Sequence, residues 1–171
     1  FTALQLLFIN LVNDSLPAIA LGLEPPEKNI MKHKPRDPNE SILAGGTLQQ
    51  VLFRGIAIGI VTIIAQYVGR LNSEELGVAM AFSTLIISRI LQTLPARSNG
   101  YTLLQLGIFS NKYVIGSIVV CFLLYGVTLI PGVRTLFSIP MYFGIKQFGI
   151  CLGLALISTI FMELIKLFKK N

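Results

Sequence analysis

Residues 10–17 read Asn-Leu-Val-Asn-Asp-Ser-Leu-Pro and lie in the middle of an apolar segment that runs from Phe1 to Leu23. A helix that crosses a bilayer needs about 20 predominantly apolar residues, and this segment is long enough. Its middle nevertheless carries a carboxylate, Asp14, together with two amides and a hydroxyl. A charge at the centre of a bilayer costs about 2.5–3.5 kcal/mol, so ionisable groups there usually face a site or a pathway. The segment therefore predicts a membrane-spanning helix with a polar site in its interior.

The spacing of the polar residues predicts that they share one helical face. Asn10 precedes Asn13 by three residues and Asp14 by four, and side chains at these spacings are neighbours on an α-helix. Pro17 cannot donate a hydrogen bond to the carbonyl of Asn13, so it is expected to loosen the helix beside Asp14. Carboxylate, amide and carbonyl oxygens are the ligands that hard cations prefer. We therefore predict that Asn10, Asn13 and Asp14 bind a cation; the alternative is that the amides only hold helices together.

The composition places the chain among multi-pass membrane proteins. Hydrophobic residues make up 53% of the sequence and charged residues 13%, with a formal net charge of +6. The basic residues flank apolar segments, as the positive-inside rule describes, so the lipid bilayer is the expected partner and nucleic acid is not. The two cysteines, Cys121 and Cys151, lie within apolar segments and are predicted to be free thiols.

Five apolar segments separated by polar, proline-containing or glycine-containing connections predict an all-α, multi-pass transmembrane bundle. The predicted spans are about residues 1–23, 48–69, 76–94, 113–129 and 145–167. Loop 24–46 and the C-terminus are rich in lysine and arginine, so both are predicted to be cytoplasmic. Pairs of glycines four residues apart predict places where another helix approaches closely. These pairs are Gly55 with Gly59 and Gly149 with Gly153.

Arg89, in the third predicted span, is a second charge that needs an explanation. Its guanidinium is always protonated and must therefore either pair with an acid or reach water. It can extend to the nearby cytoplasmic face, or it can point into the bundle and neutralise a carboxylate. Arg54, Glu163 and Lys166 lie nearer the ends of their spans, where extension to the lipid headgroups is expected.

The order of these motifs resembles the C-terminal membrane region of type II P-type ATPases, nearest to calcium pumps of the sarcoplasmic-reticulum kind. The resemblance covers essentially the whole chain. It is carried by residues 5–18, Gly22-Leu23-Glu24-Pro25-Pro26, Ile30-Met31, Pro35-Arg36 and Leu106-Gly107-Ile108-Phe109-Ser110-Asn111-Lys112-Tyr113. The resemblance implies that the five spans are helices six to ten of a ten-helix pump.

The resemblance also implies roles for the polar residues of the spans. Asn10 and Asp14 match ion ligands of the family's sixth helix, and Asn13 stands where near relatives carry a threonine ligand. Arg89, aligned through residues 80–83, stands where two-site pumps carry a glutamate ligand. A fixed positive charge repels each charge of a cation by about 4 kcal/mol at 4 Å and an effective dielectric of 20. We therefore expect one ion per cycle, with Arg89 as the counter-charge of Asp14 when the site is empty.

The function implied by the resemblance is the membrane part of an ATP-driven cation pump that exports Ca²⁺, one ion per ATP. ATP and Mg²⁺ would act through cytoplasmic domains that this sequence does not contain, so the chain is not expected to be catalytic alone. The N-terminal half of the pump, with helices one to five, is the expected partner. The expected location is a plasma membrane, most simply a bacterial one.

Three alternatives stay open at this point. A pump for Mn²⁺ would use the same kinds of oxygen ligand. A pump for a monovalent cation would share the fold. A non-catalytic membrane scaffold or subunit would fit if the native protein began at Phe1, whereas the missing initiator methionine favours a fragment of a longer protein.

Overall fold

The computed structural model of the protein describes residues 1–26, 31, 40–41, 43–44, 46–98 and 100–168. Within these ranges all the regular secondary-structure elements are helices, as predicted. They are α1 (Ala3–Phe8), a π-helix (Ile9–Asn13), α2 (Ser15–Gly22), α3 (Thr47–Arg70), α4 (Glu74–Ala96), α5 (Leu103–Leu106), α6 (Lys112–Thr128), α7 (Val133–Leu136) and α8 (Ile145–Phe168). The predicted all-α bundle is confirmed.

Four helical segments are long and apolar enough to cross a membrane, and their bounds agree with the predicted spans within two residues. They are Ala3–Gly22, Thr47–Arg70, Glu74–Ala96 and Ile145–Leu167. The apolar helix α6 has 17 residues, at the lower end of the length that a span requires, so the fifth span stays a prediction. Most of the predicted cytoplasmic loop 24–46, and the terminal lysines, lie outside the described residues.

Helix α4 is the central element of the bundle. In its most apolar stretch 78% of the residues are buried, against 28% in the first span and 17% in α3. Residues that are almost completely buried occur on all sides of this helix. They include Leu76, Met80, Phe82, Ile86, Ile87 and Ile90. Helix α4 packs mainly against α3 and α8, so its polar residues are held in place by a shell of neighbouring helices.

The closest approach between α3 and α4 occurs at two glycines beside their connecting turn. A Cβ atom added to Gly69 would lie 2.6 Å from the Cα of Gly77, which is far inside van der Waals contact. At the four glycines of the predicted Gly-xxx-Gly pairs an added Cβ would meet no atom of the described chain within 4 Å. No helix of the described residues approaches closely at those pairs, so that prediction is not tested within this chain. A glycine pair split between two helices fulfils that role instead.

The first span is fixed at its N-terminal end by hydrogen bonds and ring contacts. Thr2 and Gln5 form a reciprocal capping box, and the Gln5 side chain also donates to the carbonyl of Phe137 at 2.7 Å. The ring of Phe8 lies 5.4 Å from that of Phe137 and 6.3 Å from that of Phe82, between centroids. This cluster joins the first span to both α4 and the connection that contains α7.

Candidate cation site

The first span contains a π-helix immediately before Asp14. The amide of Asp14 donates to the carbonyl of Ile9 at 3.1 Å, a bond across five residues in place of the usual four. The α-helical pattern resumes at Ala18, whose amide donates to the carbonyl of Asp14 at 3.2 Å. Pro17 lies between these bonds and has no amide hydrogen to donate. The predicted interruption of the helix beside Asp14 is therefore present.

The π-helix changes which polar side chains share a face. Asn13 is 2% exposed, whereas Asn10 is exposed and Asp14 is intermediate. The predicted common face assumed α-helical spacing, and the wider π-turn shifts the residues around the axis. The expectation that Asn10 and Asn13 point the same way is therefore wrong. Their roles as ion ligands stay predictions.

Arg89 points at Asp14. Its Nη1 donates a short hydrogen bond to Oδ2 of the carboxylate, which makes the two side chains an ion pair between the first span and α4. The guanidinium of Arg89 therefore neutralises a carboxylate of the bundle and does not extend to the cytoplasmic face, which was the alternative. The side chains of Arg89 and Asp14 are 37% and 43% exposed, so the pair is open to one side and a ligand can reach it.

The ion pair lies in a cleft of about 370 Å³ between the first span, α3 and α4. Asn13 and Gln92 also line this cleft. Both amide atoms of Asn13 and the Oε1 of Gln92 are buried without a hydrogen-bond partner among the described residues. Buried polar atoms are nearly always paired, so these amides are suited to a ligand or to water. The nitrogen of Gln92 faces the Oγ of Ser158 on α8 at 3.5 Å, which orients the side chain.

Arg54 of α3 lines the same cleft. This differs from the prediction, which had its side chain extending to the lipid headgroups. Its Nε is buried and has no hydrogen-bond partner among the described residues. The cleft is thus lined by one carboxylate, Asp14, and two guanidiniums, Arg54 and Arg89. Such a balance does not favour a dication by itself, so further acidic ligands would have to come from outside the described residues. The sequence did offer a signal for this position of Arg54: like Arg89, it is a charged residue inside a predicted span, and such residues usually face a site.

A second ion pair, absent from the sequence predictions, joins the end of the first span to the end of α4. The Nε of Arg97 donates to both carboxylate oxygens of Glu24 at 3.1 and 3.0 Å, and its Nη2 donates to Oε1 at 2.7 Å. Asn111 donates to Oε2 at 2.6 Å. The hydrogen bond from Arg97 lowers the pKa of Glu24 below its ordinary value, helped by Asn111 and by the Arg97 charge, while partial burial acts in the opposite direction.

The last turns of α8 also differ from expectation. Lys166 is 5% exposed, so it does not extend into a headgroup layer. Its Nζ donates to Glu163 at 2.8 Å and to the carbonyl of Tyr101 at 3.3 Å. Glu163 in turn accepts a hydrogen bond from the amide of Leu103 at 2.8 Å. These contacts fasten the connection between α4 and α6 onto α8.

Comparison with known proteins identifies the family. Residues 1–168 match the family described as cation transporting ATPase, C-terminus. A calcium-transporting ATPase of Listeria monocytogenes is 60% identical over 166 residues, which are 97% of this chain and 19% of that protein. Calcium-transporting ATPase 1 of Lactococcus lactis is 54% identical over 169 residues, which are 99% of this chain and 19% of that protein.

A calcium-transporting ATPase of Bacillus subtilis is 39% identical over 124 residues, which are 71% of this chain and 14% of that protein. The chain spans about a fifth of the length of the Listeria and Lactococcus relatives. It therefore belongs to the family of the C-terminal membrane regions of P-type cation-transporting ATPases.

Proposed function

We propose that the chain is the part of an ATP-driven Ca²⁺ pump that supplies Asp14 as the central ligand of the transport site. Asn13 supplies an amide oxygen to the same ion, and Asn10 does so only if the helix rewinds, because here its side chain is exposed and does not line the cleft. The proposal is supported by the relatives, which are named calcium-transporting ATPases, and by the oxygen ligands that Ca²⁺ prefers. The buried, unpartnered amide of Asn13 beside Asp14 favours a ligand at this place.

The observation that carries the proposal is the ion pair between Asp14 and Arg89. A cation that binds Asp14 competes with the guanidinium for the same carboxylate. When the ion leaves, Arg89 returns, so the acid is not left uncompensated inside the membrane. The fixed charge of Arg89 also opposes a second dication nearby, which limits transport to one ion per ATP.

The energy for transport comes from outside this chain. ATP and Mg²⁺ act in the cytoplasmic domains of the parent pump, where phosphoryl transfer drives helix movements that change access to the ion. The N-terminal half of the pump contributes the remaining, acidic ligands that the positively charged cleft requires. Loop 24–46 and the C-terminus face the cytoplasm, and the pump lies in the plasma membrane of a bacterium.

The proposal is tested by measuring ATP hydrolysis of the full-length pump as Ca²⁺ is titrated, with wild type and Asp14→Asn. We expect Ca²⁺ to stimulate turnover in the wild type and the substitution to abolish that stimulation. Glu75→Gln is the matched control: it removes an exposed carboxylate in the first turn of α4 and is expected to leave stimulation unchanged. Turnover that ignores Ca²⁺, or that survives Asp14→Asn, contradicts the proposal; stimulation by Mn²⁺ alone assigns that ion instead.

A further inference from the structure

Two ion pairs connect the same two parts of the molecule. Asp14 and Glu24 lie at the start and just beyond the end of α2, and their partners Arg89 and Arg97 lie within and just beyond α4. Helix α2 itself buries only Pro17 and Ala20. Helix α2 packs more extensively against α6 than against α4. The two ion pairs are therefore specific polar links between α2 and α4, at either end of α2.

The two pairs differ in how easily they can open. The side chains of Asp14 and Arg89 are 43% and 37% exposed, whereas those of Glu24 and Arg97 are 17% and 1% exposed. An accessible pair can exchange its partners, whereas breaking a buried pair leaves an uncompensated charge inside the protein. The Asp14–Arg89 pair is suited to exchange with an ion, whereas the Glu24–Arg97 pair is suited to hold the end of the first span permanently against the end of α4.

Arg97 is held on every side. Besides its three hydrogen bonds to Glu24, its Nη1 donates to the carbonyls of Gly107 and Ile108 at 3.0 and 3.2 Å, and its Nη2 donates to the Oγ of Ser110 at 2.5 Å. The planar guanidinium has five N–H donors in a fixed fork, and this arrangement uses that fork. A lysine ammonium cannot reproduce it.

We propose that Glu24, Arg97 and Asn111, here termed the clamp, position the transport site. The clamp keeps α2 in register with α4, so that Asp14 stays in the cleft while its partner changes from Arg89 to the transported ion and back. Glu24 and Arg97 are thus positioning residues that act through Asp14. This inference rests on the proposed function of Asp14 as an ion ligand.

The test uses the full-length pump and the cation concentration that gives half-maximal ATP hydrolysis. Arg97→Lys and Glu24→Gln are each expected to raise that concentration about tenfold, the usual cost of losing a residue that orients a ligand. Maximal turnover should change much less than that concentration, whereas the melting temperature is expected to fall because the pair is buried. Asn111→Ser is a milder variant, because a serine can still cap α6 but no longer reaches Glu24. Arg70→Lys, in an exposed pair with Glu74, is the matched control.

A double-substitution experiment separates positioning from general stabilisation. With Arg89→Ala the clamp is the only ion pair left between α2 and α4 among the described residues, so adding Arg97→Lys should weaken cation activation by clearly more than tenfold. Additive effects of the two substitutions would overturn the proposal. So would a fall in melting temperature and maximal turnover with an unchanged half-maximal concentration.

The titrations are run with both Ca²⁺ and Mn²⁺. A wild-type pump that responds only to Mn²⁺ overturns the calcium assignment, whereas the clamp is still judged with the cation that stimulates hydrolysis. If Asp14→Asn leaves cation activation intact, the proposed site fails, and the clamp proposal fails with it.

Discussion

Asp14 is the carboxylate around which the charges of the cleft are arranged, and two guanidiniums line that cleft with it. Arg89 is already paired with Asp14, whereas Arg54 presents a buried Nε that has no partner among the described residues. The two arginines would therefore act differently on a cation bound as proposed. Arg89 would compete for the carboxylate directly, and Arg54 would repel the cation through its electric field.

Removing the charge of Arg54 should favour cation binding. In the full-length pump we expect Arg54→Gln to lower the Ca²⁺ concentration for half-maximal ATP hydrolysis about fivefold, because Coulomb repulsion across the cleft falls. Arg70→Gln removes a charge from the exposed Arg70–Glu74 pair and should have no such effect. An unchanged or higher half-maximal concentration for Arg54→Gln would mean that its charge is compensated elsewhere.

The lowered pKa of Glu24 predicts how the clamp responds to acid. The folded protein keeps Glu24 ionised at pH values where the unfolded chain protonates it, near the ordinary value of 4.5. The stabilisation is therefore complete above that value and is lost as the pH falls through the lowered pKa. The difference in melting temperature between wild type and Glu24→Gln should stay constant from about pH 7 to about pH 5 and shrink at lower pH.

Glu74→Gln serves as the control for that series, since Glu74 belongs to an exposed ion pair and its loss should change the melting temperature little at any pH. A wild-type advantage over Glu24→Gln that grew as the pH fell would show that the carboxylate is not held in its ionised form.

At the scale of helices, the contact between α3 and α4 depends on the absence of two side chains. Gly69→Ala would place a Cβ against the backbone of Gly77, and the resulting overpacking should cost about 1–3 kcal/mol. We expect a lower melting temperature for the full-length pump. Gly59→Ala has open space in the described chain and is the comparison. Equal losses for both would favour the Gly-xxx-Gly interpretation over the contact that the structure has.

The helices themselves were predictable and two of their details were not. Runs of apolar residues bounded by polar turns locate the four long spans and α6 within two residues, because length and hydrophobicity largely determine a membrane helix. The short helices α5 and α7 lie in segments that were predicted as connections. Pro17 predicted an interruption of the helix, but the position of the π-helix depends on backbone hydrogen bonds that the sequence does not reveal. The π-helix also changes the side of the helix on which Asn13 lies. The Gly69–Gly77 contact crosses between helices, where a spacing rule within one helix cannot detect it.

At the scale of the whole molecule, long-range polar contacts determine how the pieces fit together. The predicted partners of Asp14 included Arg89, because a buried charge needs compensation. The pairing of Glu24 with Arg97, 73 residues later, has no local signature. The contact of Lys166 with Tyr101 lacks one as well.

Transport stoichiometry is the prediction that belongs to the complete pump. With Arg89 beside the proposed transport site, we expect about one Ca²⁺ to move for each ATP hydrolysed, because the fixed positive charge opposes a second dication. The measurement compares Ca²⁺ uptake into sealed vesicles with phosphate release under the same conditions. A ratio near two would mean that Arg89 leaves the site during transport and that its charge does not limit the ion count.

The first span is attached firmly at both extremities. The rings of Phe8, Phe82 and Phe137 anchor one of them, and Glu24 with Arg97 anchors the other. Between these anchors lies the π-helix, whose backbone hydrogen bonds are the least regular in the span. In mechanical language, the span is a rod with fixed ends and one compliant joint, so imposed strain concentrates at the joint. Asp14 lies at that joint, where a small change in winding moves the carboxylate while both ends of the rod stay still.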